Sequence, residues 1–259
     1  MRLDLFLFEN GYVPSRQRAK SLIEAGCVQF DGAVVKKPSF SVSDDGAHDI
    51  RIEDPLPYVG RGGLKLEAAL KAFSVDPAGK TAVDIGASTG GFTDCLLQRG
   101  ALRVYAVDAG ENQLAEKLRT DARVVSIEHL NARSLGIEHV GGARVDLAVM
   151  DVSFISATYI LPQIPAILSE EGKMICLIKP QFEVGRAMLG KGGIVKDPAA
   201  HEAAILRVLN CATECGLSLC GLIVSPIAGG DGNREFLALL QRNGTPWTRL
   251  DVRDFIRKI

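Results

Sequence analysis

The sequence carries no surplus of positive charge. Lysine and arginine number 30 against 31 aspartate and glutamate, for a formal net charge of −1. The whole chain therefore gives no electrostatic argument for nucleic acid, and any RNA contact must come from local patches. Paired cysteines are missing too. Cys27, Cys95, Cys176, Cys211, Cys215 and Cys220 form no C-x-x-C, and most sit in apolar segments. They read as reduced, buried thiols of a cytoplasmic protein. The spacing of Cys211, Cys215 and Cys220 disfavours a zinc site, and no metal is expected. No apolar run reaches the ~18 residues that a membrane span needs. The longest uncharged stretch, Cys215 to Gly230, is broken by glycines, serines and Pro226. Met1-Arg2-Leu3-Asp4 opens an amphipathic segment rather than a secretory signal, so no membrane partner is expected. A G-x-x-x-x-G-K-[ST] nucleotide loop is also absent.

What is present suffices for one full α/β domain plus a small module: 259 residues, 47% of them hydrophobic. Residues 1–54 read as the module. A short helix from Leu3 ends at Asn10-Gly11, and Ser15 caps a second, Arg16 to Ala25, stopped by Gly26. Val28 to Phe30 and Ala33 to Val35 flank an Asp31-Gly32 turn, a strong hairpin signal, and Asp49 to Ile52 makes a third strand. Asp54-Pro55-Leu56-Pro57-Tyr58 breaks regular structure, which places a linker at 55–62 and the main domain at 63–259. A helix over Gly63 to Phe73 opens that domain. Strands are then expected at Thr81 to Ile85, Arg103 to Val107, Val124-Val125, Val145 to Met150, Lys173 to Ile178 and Leu217 to Val224. Helices are expected at Gly91 to Arg99, Gln113 to Arg119, Thr158 to Leu168 and Ala199 to Cys215. The alternation implies a Rossmann-like α/β fold with a parallel sheet and helices on both faces.

Chemistry concentrates at the strand ends. Asp84 ends the first strand, and Gly86-Ala87-Ser88-Thr89-Gly90-Gly91 follows at once. Glycines there let backbone approach a ligand. Asp108 ends the next strand, where an acid commonly binds ribose hydroxyls of an adenosine cofactor. The turn lacks the second glycine of G-x-G-x-x-G. An acid before such a turn suits S-adenosyl-L-methionine better than a dinucleotide, with Asp84 ordering the amino end of the methionine moiety.

Asp151 and Lys179 each end a short apolar run that reads as a buried parallel strand. Lys65 lies near the start of the preceding helix, and Glu235 in Asp231-Gly232-Asn233-Arg234-Glu235. Asp151-Val152-Ser153-Phe154 is neither the Asn/Asp-Pro-Pro-Tyr/Phe of amine methylases nor a nucleophilic cysteine. A carboxylate and a lysine remain. A ribose hydroxyl is a poor acid, and a lysine held out of water beside another lysine can supply a neutral amine to take its proton. Asp151 and Glu235 would orient the amines.

The Lys65, Asp151, Lys179, Glu235 set resembles the tetrad of the FtsJ-type ribose 2′-O-methyltransferases. Arg2-Leu3-Asp4 and Ser15-Arg16-Gln17-Arg18-Ala19 make the first module similar to the S-four RNA-binding domain. With Gly60-Arg61-Gly62-Gly63-Leu64-Lys65-Leu66, nearly the whole chain resembles the TlyA, or haemolysin A, family of rRNA cytidine 2′-O-methyltransferases. That resemblance implies that Lys65, Asp151, Lys179 and Glu235 are catalytic. It implies that Asp84, Gly86, Ser88, Gly90, Phe92, Asp108 and Asn131 line the S-adenosyl-L-methionine pocket. Ribosomal RNA in ribosomal subunits would be the partner. Two positions depart from the family: Gly60 stands where a serine is common, and Asp108 to Asn112 lacks a tyrosine.

Acidic residues outnumber basic ones in the first module. Arg16, Lys20 and Arg18 nevertheless offer a basic helix face, with Lys36-Lys37 just past the hairpin, as a phosphate-binding patch. The residues alone leave three other readings open: a membrane-active haemolysin, a non-catalytic ribosome-assembly protein and a small-molecule O-methyltransferase. They carry no signal that sets an oligomeric state.

Overall fold

The computed structural model describes all of residues 1–259 except 14, 44–46, 54–55, 230–231 and 246. Asp54, the last residue of the expected module, Pro55, the first of the expected linker, and the expected loop acid Asp231 lie outside the described residues. The chain divides into two compact units, Met1–Pro57 and Tyr58–Ile259.

In the first unit, α1 (Leu3–Glu9) and α2 (Arg16–Glu24) pack beside a small sheet of β1 (Val28–Phe30), β2 (Ala33–Val34) and β3 (Ile50–Ile52). Ser15 starts α2 by accepting a hydrogen bond from the Arg18 N–H at 3.1 Å. Asp31 and Gly32 both take left-handed backbone, φ 48° and 79°, which matches the twist of a tight hairpin. Leu3, Leu7, Ala19, Ile23 and Val28 are fully buried and form the core.

The second unit runs α3 (Gly62–Ala72), β4 (Thr81–Ile85), α4 (Gly91–Gln98), β5 (Arg103–Val107), α5 (Glu116–Arg119), β6 (Val124–Ile127) and β7 (Val145–Met150). It continues with α6 (Ile164–Ile167), β8 (Leu168–Ile178), α7 (Pro180–Glu183), α8 (Pro198–Glu214), β9 (Ser218–Val224), β10 (Phe236–Gln241) and α9 (Arg249–Arg257). Among the described residues the strands form one sheet in the order β6-β5-β4-β7-β8-β10-β9. The chain steps one way from β4 through β5 to β6, then returns to lay β7 on the other side of β4. That reversal opens a crevice at the carboxyl ends of β4 and β7. Apolar side chains on the two sheet faces build two cores. α8 and α9 cover one; α3 and α4 cover the other.

The sheet is not all parallel. β10 runs antiparallel to both β8 and β9, with Phe236 opposite Ile178 on one side and Val224 on the other. The sequence reading assigns nothing to 236–241. Phe236-Leu237-Ala238-Leu239-Leu240 is apolar throughout, because both faces of a central strand are covered, so it shows no alternation. α9 also goes beyond the sequence reading. The helix expected from Thr158 to Leu168 is instead two 3₁₀ turns and the short α6. Pro162 and Pro165 remove backbone donors there, and Leu168 already belongs to β8. α5 keeps only the last four residues of its expected range.

Phe236 is fully buried between His201 and Phe255. Phe236→Ala should lower the unfolding free energy of this unit by about 3–5 kcal/mol in urea titrations. A loss below about 1 kcal/mol would show that β10 is not part of the core.

Candidate active site

The crevice between β4 and β7 is tight at its base. Gly86 takes φ 84°, and a Cβ there would stand 2.6 Å from the Asp151 carbonyl oxygen and 3.0 Å from Val152. Only glycine fits both the backbone angle and the space. Above it lie two cavities of about 520 and 220 Å³ that share Gly86, Ser88, Asp151 and Ser153.

The larger cavity is lined by Gly86, Ser88, Asp108 and Asn131, together with Ile155 and Ile160. Ser88 sits at φ 49°, which aims its N–H at Asp108 Oδ2, 2.7 Å away; the Gly110 N–H donates to Oδ1 at 2.7 Å. Each Asp108 oxygen keeps lone-pair capacity for a ribose hydroxyl. Asn131 accepts from the Arg133 N–H and so caps the turn at the cavity wall. Phe92 lines the smaller cavity. Gly90 lines neither cavity; its missing side chain makes room for Leu114 and Leu118.

Asp84 faces the smaller cavity and is completely buried. Its Oδ2 accepts from both the N–H and the hydroxyl of Thr93, at 2.9 and 2.7 Å. Its Oδ1 has no partner. Burial, helped by nearby Asp151 and opposed by the two Thr93 hydrogen bonds, raises this carboxyl to about 7.

Beside Asp84 lies a chain of charges. Lys65 Nζ donates to Glu235 Oε2 at 2.6 Å and lies 3.9 Å from Asp151 Oδ2. Lys179 Nζ lies 2.6 Å from Asp151 Oδ1 and donates to Ser153 Oγ at 2.7 Å. Lys65, Lys179 and Glu235 are buried. Two cations and two anions cancel, which offsets the cost of taking them out of water. The fold thus brings together four residues spread from position 65 to 235.

Sequence reasoning overlooked several neighbours. Ser153 was visible as a hydroxyl two residues past Asp151. Thr93 was visible in the first turn of the helix after the glycines. Arg61, in the Arg-Gly-Gly run, lines the smaller cavity. Phe154 is 92% exposed, holds a left-handed φ of 64°, and packs on Phe182 with ring centroids 5.3 Å apart.

In the first unit, Arg16, Gln17 and Lys20 share a cleft with Arg2 and Asp4. Asp4 is buried, and Arg2 and Arg16 both pair with it, at 2.9 and 3.0 Å. Arg2, the nearer guanidinium, holds the Asp4 carboxyl below the usual carboxylate range. Arg18 lies outside this cleft, since at 100° per residue it sits on the far side of α2 from Arg16. Lys36 and Lys37 are exposed. Among the described residues no helix is long and apolar enough to cross a membrane, and no group of three or more side chains is placed to hold a metal. All six cysteines are free.

The reversed strand order, the glycine turn and the two strand-end acids define a Rossmann-like methyltransferase domain. Residues 58–242 match the FtsJ-like methyltransferase family, and residues 1–47 match the S4 domain. The chain is 45% identical over 240 residues to the 16S/23S rRNA (cytidine-2′-O)-methyltransferase TlyA of Mycobacterium tuberculosis, covering 93% of this chain and 89% of that one. It is 43% identical to Hemolysin A of Brachyspira hyodysenteriae over 238 residues, 92% of this chain and 98% of that one. A solved candidate hemolysin of Streptococcus thermophilus superposes with a TM-score of 0.80 at 40% identity, covering 100% and 94% of the two chains. The chain belongs to the TlyA family, FtsJ-like methyltransferases with an N-terminal S4 domain.

Such a domain takes S-adenosyl-L-methionine as its cofactor. The residues present fit that group: the unpartnered Asp84 Oδ1 suits an ammonium, and Gly86, whose backbone packs directly on the β7 end, lines both cavities. An ammonium bound at Asp84 should make affinity pH-dependent. Its folded-state value lies above the ordinary carboxyl value of 3.8, so the ligand-free protein loses stability as pH rises from there through about 7. An ammonium ligand favours the ionised carboxylate. Affinity for S-adenosylhomocysteine should therefore rise as pH passes 7 in calorimetric titrations. Asp84→Asn should weaken binding roughly tenfold to hundredfold at pH 8 and flatten the pH dependence. The same variant, free of ligand, should melt no lower than the parent at pH 8. A pH-dependent affinity that persists in the variant would assign the titration to another group.

Proposed function

We propose that this protein methylates the 2′-hydroxyl of a cytidine ribose in the RNA of ribosomal subunits, in the cytoplasm. The observation that carries this reading is the charge chain Lys65–Glu235 and Lys179–Asp151, with 2.6 Å contacts, beside the cavity of Asp84. The RNA target is supported by the match to the S4 domain and by the printed activity of the Mycobacterium tuberculosis relative.

When bound, S-adenosyl-L-methionine supplies an electrophilic methyl group. Asp84 holds its amino end, Asp108 its ribose, and Gly86, Ser88 and Asn131 line its bed; Phe92 backs the smaller cavity. Lys179 Nζ, once its own proton has passed to solvent, takes the proton of the acceptor hydroxyl. Ser153 Oγ aligns that amine, and Asp151 Oδ1 stabilises the ammonium as it forms. Glu235 holds Lys65 against the other Asp151 oxygen, so the carboxylate cannot swing away from Lys179. The exposed ring of Phe154, backed by Phe182, gives the acceptor base a stacking surface.

Residues 1–54 act as the RNA-binding module and 63–259 as the catalytic domain; of the 55–62 linker, residues 58–62 fall within the second compact unit. In the module, Arg16 and Lys20, joined by Arg2, face phosphate, with Arg18, Lys36 and Lys37 as further cationic contacts. A ribose 2′-hydroxyl as acceptor makes RNA rather than DNA the substrate.

Labelled S-adenosyl-L-methionine incubated with unmethylated ribosomal subunits should place label on a cytidine ribose of the rRNA. Lys179→Ala should lower turnover by about 10²–10⁴ and leave S-adenosylhomocysteine affinity essentially intact. Full turnover in that variant, or no label on either subunit with cofactor bound, would overturn the reading.

A further inference from the structure

Glu183 is a buried carboxylate that the proposed chemistry does not use. It is 3% exposed. Ser156 Oγ donates to its Oε2 at 2.6 Å, and the Ala157 N–H donates to its Oε1 at 2.7 Å. Arg207 of α8 holds it from behind, donating to the Glu183 carbonyl at 3.0 Å, with Nε 4.0 Å from Oε2. Burial raises this carboxyl above its ordinary value, and the two donors oppose the shift. A carboxylate kept in so dry a place implies a geometric task worth that cost.

The task is visible in how two strand-end segments meet. Lys179-Pro180-Gln181-Phe182-Glu183 follows β8, and Asp151-Val152-Ser153-Phe154-Ile155-Ser156-Ala157 follows β7. Lys179 reaches Asp151 and Ser153. Phe182 reaches Phe154. Glu183 reaches Ser156 and Ala157. The contacts run in the same order along both segments, as the teeth of a zip. α7 sets the spacing, placing Lys179 and Glu183 one turn apart. Between the outer contacts Phe154 is held in a left-handed conformation that a bulky residue adopts only under constraint.

We propose that Glu183 is a positioning residue: by clamping Ser156 and Ala157 it fixes the β7 loop against α7, so that Ser153 meets Lys179 and the Phe154 ring faces the acceptor. This assignment rests on the ribose-methylation reading for its kinetic consequence but not for its structural one. In Glu183→Gln an amide replaces one of the two acceptor oxygens, so one donor loses its partner. Ser156→Ala is the milder variant, removing a single hydroxyl.

Two measurements on the full chain test the proposal. Hydrogen exchange needs no substrate: the amides of residues 151–157 should exchange at least about tenfold faster in Glu183→Gln or Ser156→Ala, and those of β4 should not. Kinetics on ribosomal subunits form a cycle with Phe154→Ala. Glu183→Gln should lower kcat/KM by about a hundredfold in the parent, but by less than about tenfold when Phe154 is already alanine, because the ring cannot be misplaced twice. Should Glu183→Gln fail to fold, Ser156→Ala carries the same cycle, with losses in the same direction. Unchanged exchange at 151–157, or losses that simply multiply with Phe154→Ala, would overturn the positioning role. An inactive parent that still shows the local exchange change would count against the methylation reading and leave the clamp standing.

Discussion

Asp151 is shared between two lysines, and the rest of the catalytic unit is arranged to keep it so. Lys65 comes from a helix before the sheet, Lys179 from the end of β8, and Glu235 from the chain just before β10. Three buried ions around the half-buried Asp151 are tolerable only as a balanced set, because each buried ion alone costs several kcal/mol of lost hydration. That balance explains the one reversed strand. Parallel strands end at the catalytic edge, so their last residues face the ligand. An antiparallel strand begins there. By running against β8, with Phe236 opposite Ile178, β10 delivers the residue before its start, Glu235, to the edge where Lys179 sits.

The cofactor side follows from the same edge. The switch in strand order between β5 and β7, on either side of β4, leaves a crevice that helices do not fill. Backbone angles rare for ordinary residues gather around it, at Gly86, Ser88 and Phe154. Such strain persists only where surrounding contacts impose it. Asp108 imposes it on Ser88 through the Ser88 N–H, and the segment after β8 imposes it on Phe154. Asp84 is the converse case: a carboxylate left with an unpartnered oxygen, which lowers stability at neutral pH and offers an anionic group to an amino-bearing ligand.

Much of this was legible in the chain, and the omissions have physical causes. The strands from Thr81 to Met150 stood out because apolar runs met acids and glycines at their ends. The hairpin at Asp31-Gly32 stood out because few residue pairs accept two left-handed angles. β10 was missed because a strand covered on both faces loses its alternation. The helix expected after Phe154 failed against two prolines, whose effect exceeds the apolar pattern around them. Lys65, Asp151, Lys179 and Glu235 were each visible at the edge of an element. Ser153 and Glu183 were not singled out, since a lone serine and a lone glutamate just past a strand resemble any loop residues. Arg18 was grouped with Arg16 from proximity in sequence, which a helix does not respect.

The sequence by itself determined the elements and their ends: which runs are buried, where glycine permits a turn, and which acids and lysines stand beside those ends. These are local properties, set by side-chain hydrophobicity, capping and allowed backbone angles. Only the tertiary structure decided that β10 runs backward, that Asp151 lies between two lysines, and that the segment after β8 interlocks with the segment after β7. Those outcomes depend on strand order and on distances between residues as much as 170 positions apart. Local propensity carries no record of such pairings. They arise when burying both sheet faces leaves Lys65, Asp151, Lys179 and Glu235 in an arrangement where each meets an opposite charge.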